Sequence, residues 1–127
     1  MEDDLVDIDI NNVEDTRETI PDGVYLCRIK SVEKKHKAGS EYPYLDVRLT
    51  PDGHERKTLF HNLSYHPNAL WNMKAFVTRA GVEWGKNGFH YRDLIGRRIG
   101  VTVSIEPSRD DPNEKRNVIS PPYHKAN

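Results

Sequence analysis

Residues 58–80, TLFHNLSYHPNALWNMKAFVTRA, change their hydrophobic period half-way along. Up to residue 65 the side chains alternate. Leu59 and Leu63 fall on one face of a strand, and Phe60, Asn62 and Ser64 on the other. From Pro67-Asn68 onward, Leu70, Met73, Val77 and Ala80 recur at helical spacing, with Phe76 widening the stripe. Proline in the first turn and Gly81 just past the end are ordinary helix punctuation. A strand therefore runs into a helix near the middle of the chain, and what flanks this pair decides the fold.

Before it, Pro21-Asp22-Gly23 marks a turn, and residues 24–33 read as a strand. Tyr25, Cys27 and Ile29 share one face of that strand; Val24, Leu26, Arg28 and Lys30 share the other. Lys34-Lys35-His36-Lys37-Ala38-Gly39-Ser40 reads as a basic loop. Residues 44–50 alternate cleanly, Leu45, Val47 and Leu49 inward and Tyr44, Asp46 and Arg48 outward, before a second turn at Pro51-Asp52-Gly53. After the helix comes a glycine-rich link holding Trp84, then Tyr91-Arg92-Asp93-Leu94-Ile95-Gly96, one helical turn before a bend. Trp71 reads as packing at a helix edge, and Trp84 as a loop residue. Ile99, Val101, Val103 and Ile105 give the clearest strand. Residues 106–115 form a polar hairpin loop, and residues 116–120 a short last strand that Pro121-Pro122 stops.

The order is three strands, a helix and two strands. It predicts a mainly β fold with one helix, an OB-fold-like five-stranded, partly open barrel (β-β-β-α-β-β). Another small α+β domain with the same elements is the alternative. The predicted organisation is an acidic N-terminal arm over residues 1–20, the OB-like domain over 21–123 and a short tail over 124–127.

With 127 residues, 35% hydrophobic and 31% charged, the chain suits one domain with little core material to spare. Its apolar runs are far shorter than the ~18 residues a membrane helix needs, and its acidic start is the opposite of a secretory signal. Cys27 is alone, which excludes an internal disulfide or a cysteine-rich zinc module.

The formal net charge of −1 conceals a strong asymmetry. Residues 1–22 carry nine acids and only Arg17 as a base, or −8; the remaining residues carry 18 bases and 11 acids, or +7. A basic body with an acidic arm points toward nucleic acid, although acidic termini are also common as plain solvated tails.

Catalytic patterns are thin. The six histidines are scattered without a helical metal-site spacing, and no phosphate-cradling glycine loop, dinucleotide fingerprint or nucleophile elbow is present. Pro21-Asp22 with Glu33-Lys34-Lys35 does spell the acidic string of many metal-dependent nucleases, whose two acids must share a divalent ion. Along one extended strand, however, Asp22 and Glu33 stand about 36 Å apart. The expectation is no enzyme, no metal and no cofactor.

Binding is better supported. If the first three strands pair, the solvent face collects Arg28, Lys30, Tyr44, Arg48 and Phe60. Rings beside cations suit single-stranded nucleic acid, because bases stack on rings while phosphates neutralise the basic groups. The first loop adds Lys34, Lys35 and Lys37, and the last hairpin adds Arg109, Lys115 and Arg116. OB-folds grip oligonucleotides with these two loops. The competing view is that Tyr44 and Phe60 are covered and the lysines only solvate the fold.

Several stretches in this order also carry a family likeness: residues 7–14 (DIDINNVE), 20–25 (IPDGVY), 44–47 (YLDV), 62–71 (NLSYHPNALW) and 93–97 (DLIGR). Over residues 7–123 the chain resembles a family of small bacteriophage proteins first catalogued as a domain of unknown function, some of them described as single-stranded DNA-binding proteins. The resemblance implies an OB-like fold and an accessory role in phage DNA replication or recombination, in the cytoplasm of the bacterial host cell. It supplies no contact residues. Single-stranded DNA is the expected partner, and self-association is compatible with this reading. The −8 arm either folds over the basic face or recruits a phage or host replication or recombination protein through residues 1–20. Two further classes stay open: a protein-interaction factor whose acidic arm mimics DNA, and the metal-dependent nuclease.

Overall fold

The structure, a computed structural model, describes residues 19–108 and 110–126. Strands β1 (Gly23–Lys35), β2 (Tyr44–Pro51) and β3 (Leu59–Ser64) precede the helix α1 (Leu70–Arg79); β4 (Arg98–Pro107) and β5 (Lys115–Lys125) follow it. All neighbouring strands are antiparallel, in one open sheet of order β3-β2-β1-β4-β5. The mainly β fold with one helix is thus what forms.

Strand alternation builds the core. Leu45, Val47 and Leu49 of β2, Leu59 and Leu63 of β3, and Ile99, Val101 and Val103 of β4 are all buried. The sheet curls around them until its edges, β3 and β5, face each other across a seam. Met73, Phe76 and Val77 of α1 are buried beneath that curl. Leu70, placed in the apolar stripe by its spacing, is instead exposed. Leu70 is the first residue of α1, directly after a 3-10 turn at Pro67–Ala69 that the His66 side chain caps by accepting from the Asn68 amide. The tryptophans also exchange roles. Trp71 is 64% exposed, whereas Trp84 packs at 5.0 Å against Phe89 over the core.

Two irregularities were hidden in the residue pattern. In β1 the register shifts between Ile29 and Ser31, so Lys30 is an extra residue and Val32, not Ser31, returns to the core. The bulge carries the strand on to Lys35, placing Lys34 and Lys35 in β1 instead of in the loop. In β5 the chain does not stop at the prolines: the strand runs through Pro121-Pro122, whose bond is cis, to Lys125. Only β4 pairs with β5, so a proline that cannot donate is tolerated on its open edge. The register slips between Gly100 and Thr102, and the Thr102 hydroxyl donates to the Pro122 carbonyl at 2.9 Å. Past the slip β5 lies so close that a Cβ on Gly100 would meet the His124 Cβ at 2.9 Å.

At the other end, Ile20, the last residue of the predicted arm, is buried in the core. The remainder of the predicted arm, residues 1–18, lies outside the described residues, as does Arg109. Asp22 accepts from the Ile105 amide at 2.9 Å, while Glu33 lies near the far end of the 13-residue strand β1. These two acids cannot share one metal ion, which removes the basis of the nuclease reading. Among the described residues, no helix is long and apolar enough to cross a membrane.

Candidate nucleic-acid interface

Pairing in an antiparallel sheet puts opposed residues on the same face, so the register lays out the outer surface row by row. Phe60 of β3 lies opposite Arg48 of β2, which lies opposite Ser31 of β1. The next row is Asn62, Asp46 and Glu33, and the one after it Ser64, Tyr44 and Lys35. Beyond the bulge, Arg28 lies opposite Thr50 and, on its other side, Arg98.

The first row is the centre of the site. Phe60 is 46% exposed, and the Arg48 guanidinium sits 5.2 Å from its ring centroid. A ring of this size left in water beside a cation offers one apolar face for a base and one charge for its phosphate. Tyr44 is half-buried in its own row. It lies four residues from Arg48 along β2, or about 13 Å, so the Tyr44 and Phe60 rings are set well apart on the face.

The cations are not equal. Asp46 is almost buried and accepts from the Lys35 ammonium at 2.7 Å, with Arg48 at 3.6 Å. That hydrogen bond and charge raise the Lys35 pKa above its ordinary value. The carboxylate therefore competes with any phosphate for both groups. Asp46→Asn is expected to strengthen oligonucleotide binding and to steepen its salt dependence by about 0.7 in log–log slope per cation released. Titrations at several salt concentrations check this; weaker binding by a folded variant would assign Asp46 a supporting role instead.

Arg28 and Lys30 line a groove at the β1 end of the face, with Arg98, Asp52 and the exposed Ile95. Arg98 pairs there with Asp52. Arg116, opposite Glu106, lines a second groove along the seam between β5 and β3, with Lys57, Thr58, Phe60, Asn62 and Asn117. Phe60 thus has Arg48 on one side and the groove holding Arg116 on the other. Thr58 is buried at this groove, and its hydroxyl has no hydrogen-bond partner.

Other residues predicted for the site go elsewhere. Lys34 is in register with the inward Leu45 and lies 5.2 Å over the Tyr65 ring, away from the outer rows. Lys37 is exposed in the first loop, where its carbonyl closes a turn with the Ser40 amide. Lys115 is exposed at the start of β5, opposite Pro107. Arg98, Lys57 and Asn62 were not singled out by sequence reasoning. Arg98 could have been found by asking which residue faces Arg28 once β1 pairs with β4.

Behind Phe60 the seam is closed from inside. Tyr123 of β5 donates its hydroxyl to Asn72 Oδ1 of α1 at 2.8 Å, and His61 Nε2 of β3 lies 2.8 Å from the same hydroxyl. With the hydroxyl proton directed to Asn72, the neutral imidazole serves as the donor. Burial lowers the His61 pKa to about 4 and raises that of Tyr123 to about 12. Phe76 packs against both rings, at 5.7 and 5.1 Å. The clasp fixes β3 against β5, and with it the position of Phe60 relative to Arg116.

Set against known proteins, the chain matches no protein-family model and no curated protein.

Proposed function

We propose that this chain is a non-catalytic single-stranded DNA-binding protein that holds its ligand on the outer face of β1–β3 and the seam beside β5. The observation that carries the reading is the exposed Phe60 ring with the Arg48 guanidinium over it, between two grooves that hold further arginines. Strand order β3-β2-β1-β4-β5 with a helix between β3 and β4 supports an OB-fold as the scaffold. The mechanism is a cationic track plus ring stacking, with little reading of base edges. The likeness to small phage proteins supports a place in phage DNA replication or recombination, in the host cytoplasm.

Fluorescence titration with a labelled oligo-dT across a salt series tests it. Five cations, Arg28, Lys30, Lys35, Arg48 and Arg116, face the proposed path, so the log–log slope is expected near about −3 to −4. The DNA should be recovered uncut with magnesium present. A slope near zero, or preference for the duplex, would remove the proposed track.

A further inference from the structure

The two grooves of the binding face differ in charge and in one uncommitted atom. At the β1 end, Asp52 and Glu55 share the groove with Arg28, Lys30 and Arg98, and Asp52 already holds Arg98. The seam groove encloses about 340 Å³, and none of its lining residues is an acid. Its cationic residues are Arg116, which is exposed, and Lys57, which is almost buried. Strands β3 and β5 wall it without pairing, because they are the two ends of the sheet order.

Thr58 adds an independent observation. It is 2% exposed, and its hydroxyl is the buried side-chain polar atom without a hydrogen-bond partner among the described residues. Folding took this hydroxyl out of water and gave it nothing in return, an arrangement that native proteins keep rarely. A hydroxyl rotates to donate or to accept, so it can meet whatever enters the groove. Thr58 stands two residues before Phe60, at most about 7 Å along the chain, and lines the same groove. Asn117 is already occupied: Oδ1 accepts from the Ile20 amide and Nδ2 donates to the Ile20 carbonyl, both at 2.9 Å. The groove therefore offers a guanidinium fork, an ammonium and a rotatable hydroxyl beside an exposed ring.

That set suits the acceptor edge of a base. Guanine carries two adjacent acceptors, O6 and N7, which an arginine takes bidentately, whereas adenine has an N6 donor where guanine has O6. A phosphate also accepts from such donors, but it gains nothing from Leu59, Val118 and Ile119, which make part of the lining apolar. We infer that the seam groove is a guanine-preferring subsite, in which the base on Phe60 turns O6 and N7 toward Arg116 and the Thr58 hydroxyl. The inference rests on the single-stranded DNA reading above. It adds to a sequence-tolerant track one position that is selective.

The test titrates the full chain with labelled oligo-dT and with the same oligonucleotide carrying one central dG or dA. The dG oligonucleotide is expected to bind about tenfold tighter than oligo-dT, within the range that one bidentate base contact discriminates. The dA oligonucleotide, which stacks as a purine but lacks the acceptor pair, should gain little. Thr58→Val and Arg116→Lys should each bring the dG-to-dT affinity ratio close to one, since lysine keeps the charge and loses the fork. Valine removes a hydroxyl that has no partner, so urea unfolding should find Thr58→Val at least as stable as the wild type. A less stable valine variant would place a partner on that hydroxyl and overturn the inference. Equal affinity for all three oligonucleotides would overturn the guanine subsite and leave the track standing. Equal gains from dG and dA, or a dG preference that survives in either variant, would be stacking alone and would overturn it too. If none of the three binds, the subsite and the DNA reading fall together.

Discussion

Phe60→Ala should weaken binding of a single-stranded oligonucleotide by about 1–3 kcal/mol, roughly 5- to 150-fold, with the fold intact. Both halves follow from where the ring sits. Half of it faces water, and its direct cross-strand partner is Arg48, so its loss removes a pair contributing about 0.2–1 kcal/mol to the sheet. A core phenylalanine such as Phe76 would instead cost about 3–5 kcal/mol of stability when cut to alanine. Urea unfolding measured beside the titration separates the two cases. Phe60→Trp should retain affinity because it keeps a stacking face, whereas Phe60→Leu should lose most of it while keeping apolar area. A leucine variant that binds like wild type would reduce the ring to a greasy contact. Unfolding in step with lost affinity would return Phe60 to the core.

The placement of that ring was legible in the sequence because β3 alternates strictly, and parity alone sends Phe60 opposite to Leu59 and Leu63. β2 was legible for the same reason. Lys34 was not. The extra residue at Lys30 inverts parity for the rest of β1, and its one trace in the hydrophobic pattern is Val32, which stands out of phase with Ile29 and reads as an apolar residue on the outer face. The full length of β5 escaped notice because whether a proline stops a strand depends on its having one neighbour or two, which is a property of the assembled sheet. The nearness of Arg116 to Phe60 is farther still from local reading. It exists only because two ends of the sheet, more than fifty residues apart in sequence, close on each other. Histidine 61 reads locally as one more polar residue in a strand, yet its inward position makes it a buried tie across that closure.

That tie gives the fold a defined weakness toward acid. In the folded chain the His61 imidazole is held neutral, with its pKa lowered by burial from 6.5 to about 4. In the unfolded chain it takes up a proton near its ordinary value. Between these two points the unfolded state binds the extra proton, so stability is full above about pH 6.5 and falls as pH drops toward 4. The loss accumulates to about 3 kcal/mol, at most about 1.4 kcal/mol per pH unit. A proton on His61 places a charge between Phe76 and Tyr123, where no counter-charge is among its ring contacts. Carboxylates elsewhere also titrate in this window, and His61→Gln isolates the histidine share: glutamine keeps an N–H for Tyr123 and does not ionise. Urea midpoints of the two proteins should agree in slope above neutrality and diverge between about pH 6.5 and 4, the glutamine variant holding its stability better. Parallel curves across that range would mean that the ring is protonated in the folded chain, and the seam would have to admit water at His61.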